Sequence, residues 1–426
     1  MRRLATALTF LLVLLPGNAN QTDLNPADNL FKAGKFAEAE KAYAQIAARD
    51  PANLASQLQL GRIALLANHL DQAQLLLKKV LALQPGNADA KIMLAEVFYR
   101  HDNFAEAANA MTGLGPSDHE KLANVSTLNR AKLESFKGLV PYEIHGPGDI
   151  TRLKFVKRDP LPLVKVRING GKEVLFFIDT GGAELALDTA FAKELGIPQF
   201  GAVQGTFSGG QHAAVQNGRV DSVAVGDWVV RNVPVQELAL RQLSQAFGIQ
   251  ALDGCIGTIF LSHFLSTIDF RNGELVLRRK SERQNLNPGS KQTDVPFWMA
   301  GDHFIVGWGK VNTLPPALLF VDTGVAGAGA KLAPSVLHQA GIKLDEKQAS
   351  AGQGGGGSFT TVPYVVQQLS FGNIRETNVT GVFDGAYPWE HSLGFFLAGS
   401  VGHDFVAPYS VTFDFSRMLM TFSQSP

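Results

Sequence analysis

The sequence predicts a multidomain chain, with an all-α helical-hairpin repeat at the N-terminus followed by two homologous, mostly-β lobes. Three observations carry this expectation. Alanine recurs at positions 39, 73 and 107, at one constant interval. From about residue 150 onward the pattern changes to short apolar runs separated by glycine-rich turns. One short motif, an apolar run ending in Asp-Thr-Gly, occurs twice, closing at Gly181 and again at Gly324.

Composition narrows the function classes. The chain has 426 residues, 45 % of them hydrophobic and 18 % charged, which excludes a disordered tail or a coiled coil. Lys plus Arg and Asp plus Glu are 38 each, so there is no basic excess to attract nucleic acid. The lone cysteine, Cys255, excludes an internal disulfide and a cysteine-based zinc site.

The elements follow in order. Arg2 and Arg3, the apolar run Leu4 to Leu15 and the small-residue end Pro16-Gly17-Asn18-Ala19 have the layout of a secretory signal over residues 1–19. The protein is therefore expected to be exported, periplasmic or secreted, with no stable membrane insertion. Residues 20–115 hold the repeat. Pro51 and Pro85 share its period, and Gly34-Lys35-Phe36-Ala37-Glu38-Ala39 is echoed by Asp102-Asn103-Phe104-Ala105-Glu106-Ala107. Small alanines let paired helices approach, while Tyr43, Leu77 and Met111 fill the layer between them. The pattern resembles the tetratricopeptide repeat, with about two and a half units. Such an array is expected to fold as a separate module, as a platform for a protein partner or as a cap that holds another domain, and the sequence does not choose between them. Residues 116–149 are expected to hold a helical segment and a linker, since Pro141, Gly146, Pro147 and Gly148 cluster there. Two lobes follow, at 150–280 and 292–426, joined by a linker at 281–291. Strands are expected at Leu153 to Val156, Leu163 to Ile168 and Val174 to Ile178, with Gly170-Gly171 turning the last two into a hairpin.

The duplication defines the site. Leu175-Phe176-Phe177-Ile178-Asp179-Thr180-Gly181 is matched by Leu318-Leu319-Phe320-Val321-Asp322-Thr323-Gly324. Downstream, Ile256-Gly257 leads to Thr267-Ile268-Asp269-Phe270, and Val401-Gly402 leads to Thr412-Phe413-Asp414-Phe415. The spacing from Gly257 to Asp269 is identical to that from Gly402 to Asp414. The interval from Asp179 to Gly257 is nearly equal to that from Asp322 to Gly402.

These residues resemble the bilobal aspartic peptidases, of retropepsin-like or pepsin-like type, in which each lobe gives one Asp-Thr-Gly and a later apolar-apolar-Gly element. The resemblance implies acid-protease lobes and hydrolysis of peptide bonds in extended polypeptides. Asp179 and Asp322 would then be the catalytic pair. Two carboxylates held close together cannot both ionise readily, so they share a proton, and water activated between them attacks the scissile carbonyl. Thr180, Gly181, Thr323 and Gly324 would support the loops, the threonines by cross-bonding them. Phe207, Ser208, Gly209 and Gly210 mark a possible first flap within Gly201 to Val220. Gly354, Gly355 and Gly356 mark a second, at a similar distance from the second aspartate.

The chain departs from the pepsin-like pattern at Gly182 and Val325, where a Ser or Thr usually follows, and in having Phe207 as the first flap's aromatic in place of tyrosine. These departures leave open a catalytically impaired peptide- or protein-binding module using the same cleft. No cofactor or metal is expected, since His212, His263, His391 and His403 lack ligand spacing. Cys255 reads as a buried small hydrophobe, and Asp269 and Asp414 as turn-forming residues. The expected partners are a peptide or protein substrate and a protein bound by the repeats, and the expected state is a monomer, because the duplication already supplies both half-sites.

Overall fold

The computed structural model describes residues 24–115, 118, 122, 125–282 and 291–424. The expected signal segment and residues 283–290 of the expected linker lie outside the described residues. Among these residues, no helix is long and apolar enough to cross a membrane.

Six helices form the N-terminal region: α1 (Asn25–Lys32), α2 (Phe36–Arg49), α3 (Leu54–Leu66), α4 (Leu70–Leu83), α5 (Ala88–Arg100) and α6 (Phe104–Ala110). The period of the repeat reappears in their capping. Asn53 accepts from the N–H of Ser56 and Asn87 from that of Ala90, each at 2.9 Å, so equivalent asparagines start α3 and α5. Ala39, Ala73 and Ala107 are fully buried, and Tyr43, Leu77 and Met111 are buried beside them. The helices make three successive pairs, the first and last each containing a short member. A short helix, α7 (Arg130–Glu134), follows.

The rest of the chain is mostly strand. The first part contains β1 (Glu143–His145), β2 (Ile150–Lys154), β3 (Leu163–Ile168), β4 (Glu173–Ile178), β5 (Leu185–Asp188), β6 (Gln199–Thr206), β7 (His212–Val225), β8 (Trp228–Leu238), β9 (Gly254–Ile256), β10 (Leu265–Asp269) and β11 (Glu274–Arg278). The second contains β12 (Lys291–Pro296), β13 (Trp298–Ala300), β14 (Phe304–Val311), β15 (Ala317–Val321), β16 (Ala330–Leu332), β17 (Ser350–Gly354), β18 (Gly357–Phe371), β19 (Ile374–Phe383), β20 (Leu397–Val401), β21 (Ser410–Asp414) and β22 (Leu419–Gln424). The hairpin between β3 and β4 turns on Asn169-Gly170, both with positive φ, one position earlier than Gly170-Gly171. Asparagine and glycine are the residues that adopt this turn readily.

Each lobe has an eight-stranded sheet, in the order β1-β8-β5-β9-β4-β3-β7-β6 and β13-β14-β15-β20-β16-β19-β18-β17. In both, the strand before Asp-Thr-Gly runs parallel to the strand of the apolar-apolar-Gly element: β4 beside β9, and β15 beside β20. A third sheet, β12-β22-β21-β10-β11-β2, is built from both lobes. The duplicated Thr267 and Thr412 are paired at its centre, their hydroxyls 2.7 Å apart. Asp269 and Asp414 cap the following turns, accepting from the N–H groups of Asn272 at 2.9 Å and Ser416 at 3.0 Å.

Two sequence expectations are modified. The stretch 140–149, expected as a linker, contributes β1, because Glu143–His145 finds a free edge on β8. The repeats, expected as a separate module, share one continuous hydrophobic core with the lobes. Phe36 meets Trp298 and Phe395 with ring centroids 5.3 and 5.0 Å away. Arg62 donates to the Leu393 carbonyl at 2.8 Å and Arg100 to that of Gly301 at 2.7 Å. His263 of the first lobe meets Asp102 at 2.9 Å. Periodicity shows which helix face is apolar but not what covers it; here much of the cover is the chain's own lobes.

Candidate active site

Asp179 follows β4 directly, and its N–H donates to the Ile256 carbonyl of β9 at 3.1 Å. Asp322 follows β15, and its N–H donates to the Val401 carbonyl of β20 at 3.0 Å. Each aspartate is thus delivered by a buried strand and held by the neighbouring parallel one. The loops then lock together. The Thr180 N–H donates to Thr323 Oγ1 and the Thr323 N–H to Thr180 Oγ1, both at 3.0 Å. Each threonine hydroxyl in turn donates to the opposite strand, Thr180 Oγ1 to the Val321 carbonyl at 2.7 Å and Thr323 Oγ1 to that of Ile178 at 3.5 Å.

The two carboxyl groups lie close enough to perturb one another's protonation. The Gly181 N–H donates to Asp179 Oδ1 at 2.7 Å and the Gly324 N–H to Asp322 Oδ1 at 3.1 Å. A Cβ on Gly181 would collide with the Asp322 carboxylate, and one on Gly324 with that of Asp179, so glycine is required for this approach. Burial pushes both carboxyls above the usual range, Asp179 to about 8. For Asp179 the negative charge of Asp322 pushes further in the same direction. For Asp322 the Lys331 ammonium acts in the opposite direction and favours the ionised form. The pair therefore shares a proton and titrates as a unit.

A cavity of about 610 Å³ contains both aspartates and meets a second, of about 430 Å³, at Gly181, Phe207 and Trp389. Both expected flaps are β-hairpins that line it. The first is β6–β7 with Phe207, Ser208, Gly209 and Gly210 at its tip, and the second is β17–β18 with Gly354, Gly355 and Gly356 at its turn. Gly355 and Gly356 lie against Phe207, while Gln242 of the first lobe donates to the Gly354 carbonyl at 3.0 Å. The glycine-rich run is ordered into a hairpin because β17 finds the facing edge of β18.

Cys255 is buried in β9 near Gly182, and burial raises its thiol well above the ordinary range, so it behaves as a small hydrophobe. His212 is near Thr206 at the first flap, His391 is exposed, and His403 is buried against Phe270.

Three functional neighbours escaped sequence reasoning. Glu184, beside the Asp179 loop, accepts from Lys132 at 2.7 Å and from Tyr99 of α5, so the repeats reach the active-site loop directly. Lys331 and Asp384 form an ion pair of 2.6 Å inside the cleft. The available signal was a charged residue within an apolar, small-residue stretch: Glu184 between Ala183 and Leu185, and Lys331 between Ala330 and Leu332.

Residues 164–258 and 309–386 match the aspartyl protease family, and residues 30–82 and 64–133 match the tetratricopeptide repeat. No curated protein matches the chain. The chain is thus similar to the tetratricopeptide repeat in its N-terminal helices and to the aspartyl protease family in its two lobes.

Proposed function

We propose that the protein is an aspartic endopeptidase that cleaves extended polypeptides with Asp179 and Asp322 as its catalytic pair. The observation that carries this reading is the joined pair of carboxyls at the base of a flap-covered cleft, each on an Asp-Thr-Gly loop and each loop gripping the other through its threonine. In the cycle, the ionised carboxylate of the pair takes a proton from water. The water oxygen bonds to the scissile carbonyl carbon while the protonated partner gives its proton to the carbonyl oxygen. The resulting gem-diol collapses, the C–N bond breaks, and the leaving nitrogen takes a proton from the pair. No covalent enzyme intermediate forms.

An extended substrate fits the roof. Hairpin flaps offer strand backbone to a peptide lying below them, which favours recognition through main-chain hydrogen bonds and alternating side-chain pockets. The apolar wall formed by Leu161, Phe177, Leu243 and Phe247 suits an apolar side chain near the cleaved bond. On this reading the enzyme is exported and acts as a monomer. Its repeats contribute to the scaffold of the cleft, with surface left for a protein partner.

The test is cleavage of a diverse peptide library between about pH 3 and 8, with Asp179→Asn and Asp322→Asn as controls. Cleavage by the native chain that both substitutions abolish supports the proposal. Equal cleavage by all three defeats it, and tight peptide binding without turnover at any pH assigns the cleft to a binding module.

A further inference from the structure

Lys331 and Asp384 are in the cleft but on neither Asp-Thr-Gly loop. Their side chains are each only 3 % exposed. The lobes differ here: Lys331 pairs with Ser400 beside the second apolar-apolar-Gly element, while Ala186 pairs with Cys255 at the matching place in the first. A buried ion pair is seldom more stabilising than well-packed apolar side chains of similar volume. Stability alone therefore gives this position no reason to carry one.

The contacts of the pair indicate what it can hold. Lys331 Nζ donates to Ser208 Oγ at 3.0 Å, and the Gly209 N–H donates to Asp384 Oδ2 at 2.7 Å. Asp384 Oδ1 is buried and has no hydrogen-bond partner among the described residues. The tip of the first flap thus presents one acceptor oxygen and one N–H donor to a matched donor and acceptor, and an acceptor site remains. Lifting of that tip would break both contacts and leave the pair without them.

A side-chain carboxamide carries the same combination, a carbonyl oxygen for Lys331 and an NH2 group for Asp384. A carboxylate would be set against Asp384, an ammonium against Lys331, and an apolar group would leave both unsatisfied. We propose that Lys331 and Asp384 form a subsite for an uncharged amide side chain, Gln or Asn, of the bound peptide, which takes over the contacts made by Ser208 and Gly209. The proposal rests on the cleft being a peptide site.

The experiment measures binding of position-scanned peptides to the full chain carrying Asp179→Asn, each position bearing Gln, Met or Glu in turn. At one position Gln should bind at least about tenfold more tightly than Met or Glu, because a buried donor–acceptor pair rejects groups that leave it unpaired. Adding Lys331→Met together with Asp384→Leu removes both charges at once and should abolish that ratio. Should the double variant fail to fold, Asp384→Asn keeps the volume and should still reduce the ratio. No Gln preference at any position, or one that survives the substitutions, overturns the proposal. Binding preference without cleavage by the native chain would sustain the subsite and remove the peptidase reading. Cleavage without the preference would do the reverse.

Discussion

Lys132 Nζ is 2.7 Å from Glu184 Oε1, and both side chains are wholly withdrawn from solvent. The pair ties α7 to the residue that follows the Asp179 loop, and Tyr99 brings α5 to the same carboxylate oxygen. Burial lowers the Lys132 pKa despite the nearby negative charge, which shows how strongly desolvation weighs at this point. The repeats are in this way part of the support of the cleft.

Breaking that tie from one side should be costly. Lys132→Met leaves Glu184 buried without its cation and should destabilise the chain by about 3–5 kcal/mol. Combining it with Glu184→Leu should recover much of the loss, because the stranded charge is gone. Urea unfolding of the two single variants and the double variant measures the coupling; additive effects would contradict it.

The paired carboxyls make stability depend on pH in a definite direction. Both have folded-state pKa values raised by burial. Their contribution is fully present below the ordinary carboxyl range, about pH 4, and is lost as pH rises through the raised values. Asp179→Asn should therefore raise the unfolding temperature near neutral pH and leave it almost unchanged near pH 3. Its cleavage rate should fall by at least about 10³-fold. Thermal melts at the two pH values, with a peptide assay alongside, check both parts.

Lys331 should tune the pH profile of turnover. Its ammonium favours the ionised form of Asp322. Lys331→Met should raise the lower apparent pKa of the pair and move the acid limb of kcat/KM to higher pH. An unshifted acid limb would show that Lys331 does not act on the pair.

The threonine grip can be probed without touching either aspartate. Thr180→Val keeps the shape but leaves the Thr323 N–H and the Val321 carbonyl without their buried partner. The expected cost is about 1–3 kcal/mol, with a fall in kcat larger than the change in KM. Denaturation and steady-state kinetics on one preparation separate the two effects.

The repeated features were legible in the sequence because their chemistry is local. Ala39, Ala73 and Ala107 announce the helical layers, and Asp-Thr-Gly with its downstream glycine announces two loops that must meet. The duplicated Thr267 and Thr412 even become partners in one sheet. Lys132 and Glu184 were not legible, since they lie far apart along the chain and nothing local to either reveals the other. The same holds for Lys331 and Asp384, whose pairing depends on how β16 lies beside β19. Val140 to Asp149 read as a linker because its prolines and glycines are visible while the edge of β8 is not.

The shared sheet has a mechanical consequence. Strands of both lobes lie side by side within it, and the helices lean on each lobe, so prising the lobes apart would tear backbone ladders and strip packed aromatics at once. Far less resists a hairpin lifting at its tip, where a few polar bonds and a phenyl ring hold the closure. On the proposed reading the molecule is a rigid frame with two movable lips. Its aperture would then be set by how far those lips part, and a gap of that kind would admit a single unfolded strand laid lengthwise while turning away a folded surface.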